Sequence, residues 1–223
     1  MKHKQTGFTL VEMAIVLVII GLLLAAILKG QELINAGKVK ALGNDVRNIP
    51  AFINGYQDRY RAMPGDDAAV VAHLANLAVA TVATTPAAAT IGNGALNGAW
   101  DSITNTDETV LVWQHLRIAG FMPGTTVPAV AAGNNYLPTN AFGGRIGVTS
   151  DLPAINDASF TGTFFVCTAN IPDNVARALD QTLDDGVGTT GSVRAIATAA
   201  APAARGASIA YAAGTTYTVC LAQ

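Results

Sequence analysis

The stretch KQTGFTLVEMAIVLVIIGLLLAAIL, residues 4–28, decides the N-terminal part of the fold because it is almost entirely apolar. Residues 8–28 are twenty-one residues with a single charged side chain, the carboxylate of Glu12. At about 1.5 Å per residue, a helix of this length spans roughly 30 Å, which matches the hydrocarbon core of a bilayer. Lys2 and Lys4 precede the apolar run. The positive-inside rule therefore predicts a cytoplasmic N-terminus and an exported remainder.

Three kinds of N-terminal segment compete to explain this run. A cleaved secretory signal has an apolar core of about 7–15 residues and a small-x-small cleavage site. This run is longer and offers no good site of that kind. A plain single-pass anchor explains the length but not Glu12, because a carboxylate at the centre of a membrane helix costs about 2.5–3.5 kcal/mol. The third kind of segment, described next, is one in which that carboxylate has a cationic partner.

The motif GFTLVE, residues 7–12, resembles the processing site of type IV prepilins and of type II secretion pseudopilins. In that family a short basic leader ends in glycine, and a prepilin peptidase cuts after the glycine and N-methylates the new first residue. The resemblance implies a leader over residues 1–7, cleavage between Gly7 and Phe8, and methylation of Phe8. It also implies that Glu12 is the fifth residue of the mature chain.

The same resemblance gives Glu12 a role in assembly. Cleavage creates an ammonium group at Phe8, and Glu12 lies four residues on, about one helical turn away. A carboxylate can neutralise such an amine in a medium of low dielectric constant, and in the family the amine is thought to belong to the neighbouring subunit. Whether Glu12 meets its own amine or a neighbour's stays open from the sequence.

The helical pattern continues beyond the apolar run. Apolar residues recur at alternating spacings of three and four, which places them on one stripe of a helix. They are Val39, Leu42, Val46, Ile49, Ile53, Tyr56 and Tyr60. We therefore expect one helix over residues 8–60 whose second half packs on a globular head, with a coiled coil to another protein as the alternative. Pro50 predicts a kink or a break near Asn48–Ile49, because proline removes a helical hydrogen bond.

Residues 61–223 are predicted to form the head, which makes the whole chain α+β. Segments rich in β-branched and aromatic residues predict a small antiparallel sheet packed on the long helix. These segments are residues 144–150, 162–169, 192–199, 208–214 and 215–223. Residues 78–99 consist mainly of alanine, threonine and glycine, and we predict a long exposed loop there.

Short helices are expected between these features. Asp66 is predicted to cap a helix that runs to about Leu77, with metal binding by Asp66 and Asp67 as the alternative. Another short helix is predicted between two strands, capped by Asp173 and ended near Gly186.

The segment DETVLVWQHLRIAG, residues 107–120, predicts a further helix. Asp107 or Thr106 is expected to cap it, and Gly120 is expected to end it. His115 lies between core-facing neighbours in this helix, and we expect it to form hydrogen bonds at the surface rather than to act as a ligand.

Cys167 and Cys220 are the two cysteines of the chain. In an oxidising compartment they would pair and close a loop of about fifty residues, which stabilises the fold by roughly 4 kcal/mol in the chain-entropy treatment. Two buried free thiols are the alternative. A bridge between them would fasten the C-terminus to the sheet.

Composition and motifs argue against catalysis and against nucleic-acid binding. The net charge is −2, charged residues make up 13% of the chain, and no nucleotide-binding, nucleophile or zinc motif occurs. We predict no enzyme activity and no cofactor. Calcium is the one alternative, because Asp184 and Asp185 precede a glycine and some pseudopilins hold calcium in a C-terminal loop. An EF-hand series is absent from the sequence.

The sequence thus predicts a structural subunit of a type IV pilus-like filament, with disulfide Cys167–Cys220 and with prepilin peptidase and other pilins as partners. It would lie in the inner membrane with a periplasmic head, and then in a surface filament or a periplasmic pseudopilus. The alternatives are a pseudopilin that drives type II secretion and an anchored periplasmic binding domain that never polymerises. Residues 56–67, 113–120 and 183–195 resemble the family more loosely.

Overall fold

The computed structural model describes residues 9–75, 77, 79–86, 90–130, 136–151, 155, 157–198 and 207–223. In chain order the elements are α1 (Leu10–Tyr60), α2 (Val70–His73), α3 (Glu108–Ile118), β1 (Ile146–Thr149), β2 (Phe165–Pro172), α4 (Asp173–Leu183), β3 (Val193–Ala197) and β4 (Thr216–Ala222). The chain divides into two compact units, Met1–Val39 and Lys40–Gln223. A long N-terminal helix with a four-stranded antiparallel sheet confirms the predicted α+β class.

In the first unit α1 presents apolar side chains to its surroundings on every side. Its large aliphatic residues between Leu10 and Leu28 are all exposed, and Leu33 and Ile34 extend the exposed apolar surface further along the helix. Among the described helices, α1 alone is long and apolar enough to cross a membrane, judged by length and composition. A helix that is apolar all round needs an apolar medium, which agrees with the predicted membrane segment.

The second half of α1 is buried along one stripe, as the spacing predicts. Leu42, Val46, Ile49, Ile53 and Tyr56 are at most 5% exposed, while the two ends of the predicted stripe are only half-buried.

The break predicted at the proline of α1 is wrong. The helix continues through Pro50 to Tyr60, and the proline ring is itself buried. An interior proline costs about 3 kcal/mol, whereas each fully buried aliphatic or aromatic side chain stabilises the fold by about 1.5–3 kcal/mol. Several such side chains flank Pro50 on the buried stripe, so tertiary packing outweighs the local preference.

The sheet has the strand order β1-β2-β4-β3, and every neighbouring pair is antiparallel. Four of the five predicted segments form these strands. The fifth, residues 208–214, does not form a strand. Its Tyr211 hydroxyl donates to Asp180 at 2.7 Å, and the Ala212 amide donates to the Tyr217 hydroxyl at 2.5 Å. The Tyr217 hydroxyl thus engages the Ala212 amide, and it also lies 3.2 Å from the Ala210 carbonyl, so backbone groups that a strand ladder would need have side-chain partners.

The predicted disulfide joins Cys167 to Cys220. The two residues face each other directly in the β2–β4 ladder, with Cα atoms 4.0 Å apart, and both are fully buried. They lie in an apolar cluster that also contains Trp100, Phe160 and Ile196. The bridge therefore fastens the last strand to the middle of the sheet, as the sequence predicts.

The short helices differ from the predictions at their ends. The helix expected from Asp66 to Leu77 is a single turn, Val70–His73, with Ala69 at its N-cap. Asp66 does not cap a helix. It accepts hydrogen bonds from the amides of Gly92 and Gly94 at 2.5 and 2.6 Å. These partners are 26 and 28 residues apart in sequence, so no local sequence pattern predicts the contact.

Two more predicted caps need correction. Asp173 is the first residue of α4, whose N-cap is Pro172, and the helix ends at Leu183 rather than near Gly186. Asp107 does occupy the N-cap of α3, but its side chain makes no capping bond there. Its carboxylate accepts a hydrogen bond from the Ser102 hydroxyl instead.

The described part of residues 78–99 contains no helix and no strand of the sheet, but it is not the exposed loop that the composition predicts. Leu96 is fully buried. Besides the Asp66 bonds, the Asn97 amide donates to Glu108 at 2.6 Å and the Gly98 amide donates to Asp151 at 2.6 Å. Three carboxylates thus hold the loop through its backbone amides, which satisfies donors that a chain without regular structure leaves unpaired.

His115 is fully buried, which contradicts the predicted surface position. Its Nδ1 accepts a hydrogen bond from the Gly65 amide at 2.8 Å, and its Nε2 lies 2.9 Å from the Thr81 carbonyl, to which it donates. Helix α3 is buried on almost every side, so a position between core-facing residues is also inside. Burial lowers the pKa of His115 to about 4.

Glu108 and His115 make opposite contributions to the pH dependence of stability. Burial raises the pKa of Glu108 from 4.5 to about 7, so its contribution to stability is complete below pH 4.5 and is lost as the pH rises to 7. The pKa of His115 is lowered from 6.5 to about 4, so its contribution is complete above pH 6.5 and is lost as the pH falls. The two slopes oppose each other between pH 4.5 and 6.5.

In the variant E108Q, we therefore expect the pH dependence of the free energy of unfolding to reflect His115 without the opposing contribution of Glu108. Glutamine keeps an oxygen for the Asn97 amide but does not titrate. Between pH 6.5 and 4.5, the free energy of unfolding of E108Q should fall more steeply than that of the wild type, by up to about 1.4 kcal/mol per pH unit. Denaturant unfolding of the full chain in micelles at several pH values measures this slope. E32Q, at an exposed glutamate, is the matched control, and equal slopes in wild type and E108Q would contradict the prediction.

Candidate functional site

At the start of α1, Thr9 and Glu12 form hydrogen bonds to each other. The Thr9 amide donates to Glu12 Oε2 at 2.8 Å, and the Thr9 hydroxyl donates to the same oxygen at 2.8 Å. The Glu12 amide donates to the Thr9 hydroxyl oxygen at 3.3 Å. This is a capping box, in which a threonine before the helix and a glutamate three residues later satisfy each other's backbone amides.

Sequence reasoning missed the capping box although its signature is present. The letters TLVE, residues 9–12, carry threonine and glutamate at the required spacing immediately before an apolar run. From the sequence, Glu12 was predicted to pair with an amine at Phe8. Gly7 and Phe8 lie outside the described residues. Cleavage between them therefore stays a prediction.

The capping box fixes one oxygen of Glu12 and leaves the other available. Both Thr9 bonds end on Oε2. Within the part of the chain that the structure describes, Oε1 accepts no hydrogen bond, and the Glu12 side chain is exposed. The carboxylate is therefore held at the N-terminal end of the helix, and none of the described residues occupies its second oxygen.

Glu12 is surrounded by apolar side chains, so the state of its second oxygen affects the cost of placing it in an apolar medium. Its neighbours along the helix, Leu10, Val11 and Met13, are exposed apolar side chains. In an apolar medium a carboxylate without a cationic partner costs about 2.5–3.5 kcal/mol at a helix centre. An ammonium group placed beside this second oxygen would remove this cost, and this is the chemistry that the arrangement offers.

A second cluster of carboxylates lies after α4. Carboxylate oxygens of Asp180, Asp184 and Asp185 lie within 4.8 Å of one another, so the structure adds a third group to the two residues predicted as calcium ligands. Among the described residues no other group of three potential metal ligands meets this spacing. Calcium takes six to eight oxygen ligands, of which these residues would supply a part.

Hydrogen bonds within the loop account for the position of these carboxylates. Asp184 accepts from the amides of Ser192 and Val193, at 2.5 and 3.2 Å. Asp185 accepts from the Thr190 hydroxyl at 2.5 Å, and this side-chain bond is the main cause of the lowered pKa of Asp185. Burial raises the pKa of Asp180. Calcium binding at this turn stays the untested alternative to the prediction of no cofactor.

The paired aspartates Asp66 and Asp67 serve different purposes, neither of them capping. Asp67 is buried and accepts from the Tyr56 hydroxyl at 2.8 Å, and its Oδ2 lies 2.7 Å from Nδ1 of His73. Burial is the main cause that raises the pKa of Tyr56. The metal site considered from the sequence would need a third ligand. Among the described residues His73 reaches Asp67, but Asp66, Asp67 and a third potential ligand do not all lie within 4.8 Å of one another.

A family model for the prokaryotic N-terminal methylation motif matches residues 2–28. No curated protein and no solved structure matches the chain. The matched residues contain Lys2 and Lys4, the Gly7–Phe8 pair, the capping box and the apolar run. Residues 2–28 therefore carry the prepilin signature that type IV pilins and pseudopilins share.

Proposed function

We propose that this chain is a structural subunit of a type IV pilus-like filament, cut by prepilin peptidase after Gly7 and N-methylated at Phe8. The single observation that supports this most strongly is the position of Glu12. Its carboxylate is fixed by Thr9 at the start of α1, whose first part is apolar on every side, and among the described residues only one of its two oxygens accepts hydrogen bonds. A lone anchor has no use for such a group, whereas a subunit that must pair an ammonium in register does.

The same segment indicates where the protein would reside before and after assembly. Before assembly α1 would hold the subunit in the inner membrane, and the lysines of the leader would keep the N-terminus in the cytoplasm. The second unit would then lie in the periplasm, where the Cys167–Cys220 bridge can form. After assembly the apolar half of α1 would form the filament core.

A Gly7→Val substitution tests the processing step. A β-branched residue at the cleavage position should block the peptidase, so the chain should keep its leader, stay in the membrane and form no filament. The measurement is the mass of the N-terminal peptide in membrane and sheared-surface fractions. The wild type should give a peptide that begins with methylated Phe8.

Gly21→Val is the matched control for this experiment. Gly21 lies in the exposed apolar part of α1, and a side chain there would meet nothing within 4 Å. Its leader should be removed as in the wild type. Wild-type chain that keeps its first seven residues would contradict the proposal.

Electron microscopy of the same sheared material decides between the two filament types. Long fibres that contain methylated chain would indicate a pilus. Loss of exoprotein release on deletion, without such fibres, would indicate a secretion pseudopilus. Processed chain that never enters any filament, together with a silent E12A variant, would indicate the anchored periplasmic domain.

A further inference from the structure

Four steps of the chain join an asparagine or an aspartate to a glycine, the sequences most prone to spontaneous cyclisation of the backbone. They are Asn54–Gly55, Asn93–Gly94, Asn97–Gly98 and Asp185–Gly186. Glycine favours the reaction because it has no side chain to hinder it, and asparagine is for this reason among the thermolabile residues.

The reaction uses the backbone nitrogen of the glycine as its nucleophile. This nitrogen loses its proton to solvent and forms a bond to Cγ of the preceding side chain. The bond from Cγ to the side-chain nitrogen or oxygen breaks, and ammonia leaves from asparagine, or water from aspartate, with a proton returned by solvent. The product is a cyclic succinimide. Water then opens the ring at either carbonyl, which gives aspartate or isoaspartate.

Three of these four glycine nitrogens share one kind of partner, the carboxylate of an aspartate distant in the loop or helix. The Gly94 amide donates to Asp66 Oδ2 at 2.6 Å, the Gly98 amide to Asp151 Oδ2 at 2.6 Å, and the Gly186 amide to Asp180 Oδ1 at 3.1 Å. The fourth glycine, Gly55, lies inside α1, where each amide bonds to a carbonyl of the preceding turn. All four nitrogens are therefore engaged as donors in the folded chain.

A carboxylate is a partner that opposes this reaction at two stages. The glycine nitrogen must first lose its proton, and the resulting anion would lie against a negatively charged oxygen. A succinimide nitrogen carries no hydrogen, so the product also loses a charge-assisted hydrogen bond, which is about twice as strong as a neutral one. Asp66 and Asp180 are buried, so water does not replace the lost donor there.

The two asparagines of the loop are also held by their side chains. Asp151 accepts from Nδ2 of Asn97 at 3.3 Å as well as from the Gly98 amide, so it binds both the leaving group and the nucleophile of that step. Oδ1 of Asn93 accepts from the Ala95 amide at 2.8 Å. Asn93 is exposed and Asn97 is half-buried, so exclusion of water does not protect either of them.

We propose that Asn93 and Asn97 are deamidation sites that Asp66 and Asp151 protect in the folded head. The buried aspartate of α4, Asp180, protects the aspartate–glycine step that follows this helix from isomerisation in the same way. Each carboxylate protects the step whose glycine amide it binds, so removing one carboxylate should open one site. This role is separate from filament assembly and concerns the chemical lifetime of the head.

Peptide mapping by mass spectrometry, after incubation of the full chain in detergent micelles at mildly alkaline pH, measures aspartate and isoaspartate at each of the four steps. The same chain unfolded in guanidinium chloride gives the unprotected rates. In the folded wild type we expect Asn93 and Asn97 to react at least about tenfold more slowly than in the unfolded chain, the factor that one hydrogen bond to a charged group provides.

Two variants in different loops serve as controls for each other. D151A should accelerate the reaction at Asn97 about tenfold and leave Asp185 unchanged. D180A should accelerate the reaction at Asp185 and leave Asn97 unchanged. D107A removes a carboxylate that accepts from the Ser102 hydroxyl and from none of the four glycines, and it should leave every rate unchanged.

The step at Asn54, inside α1, reports whether a variant is folded. Acceleration there marks an unfolded variant, and the other variant of the pair then provides the test; if neither folds, the comparison of folded with unfolded wild type decides. Equal rates at Asn93 and Asn97 in folded and unfolded wild type would overturn the proposal. So would a folded D151A without acceleration at Asn97, or a D107A variant that accelerates this step equally.

Discussion

Replacing Glu12 by alanine is expected to give a chain that is processed and membrane-bound but absent from filaments. The leader and the apolar run are unchanged, so cleavage and insertion should proceed. In the filament, the ammonium group at the mature N-terminus would lose its carboxylate in an apolar medium. Such a charge costs about 2.5–3.5 kcal/mol at the centre of a membrane helix and less towards its end, so filament incorporation should fall by up to about a hundredfold.

The capping box makes it possible to separate the charge of Glu12 from its structural role. E12Q keeps the shape of the box, since glutamine also serves at this position, but it removes the charge. Thr9→Val removes the hydroxyl of the box and keeps the charge. We expect E12Q to fail in assembly like E12A, and Thr9→Val to assemble at a reduced level, because a lost cap costs only about 0.5–2 kcal/mol.

The measurement is the amount of chain in sheared filaments relative to the amount in the membrane, with the N-terminal mass determined in both fractions. E32A is the control for removing a glutamate from α1, because Glu32 is exposed and pairs with Lys29 outside the motif. Normal filament incorporation of E12A would contradict the assembly role. Normal incorporation of E12Q combined with failure of Thr9→Val would show that the cap, and not the charge, is what assembly needs.

Removing the disulfide is the second change with a large expected effect. In the chain-entropy treatment, a bridge between residues 53 positions apart stabilises the fold by about 4 kcal/mol. Native domains have free energies of unfolding of about 5–15 kcal/mol, so C167A/C220A should lose a large fraction of its stability. The loss should concern the head as a whole, because Cys220 belongs to β4, which pairs with both β2 and β3.

Denaturant unfolding of the full chain in micelles, followed by tryptophan fluorescence, measures this loss. Trp100 and Trp113 are the two tryptophans of the chain and both are buried in the second unit, so the signal reports the head. Reduced wild-type chain is the matched control, since it keeps the volume of both side chains and lacks only the bond. A loss below about 1 kcal/mol in both samples would be incompatible with the entropic argument.

The features that could be predicted from the sequence are those that depend on neighbouring residues. The alternating spacing of three and four fixes which side of α1 is buried, because the helix period relates residues only a few positions apart. The prepilin signature and its fixed offset to Glu12 are local for the same reason. The class of the fold and four of its five predicted strand segments also followed from local pattern, and the two cysteines allowed a single intrachain pairing.

Features that depend on partners distant in sequence could not be predicted and were revealed by the three-dimensional fold. Asp66 looks like a helix cap, but it binds the amides of Gly92 and Gly94, more than twenty positions away. His115 looks like a surface residue, but α3 is buried on almost every side. Residues 208–214 have a strand composition, yet their polar groups find Asp180 and Tyr217. Composition sets what a segment prefers, but the tertiary fold decides which partner reaches each backbone amide and carbonyl, because an unpaired buried group costs more than a local preference gains.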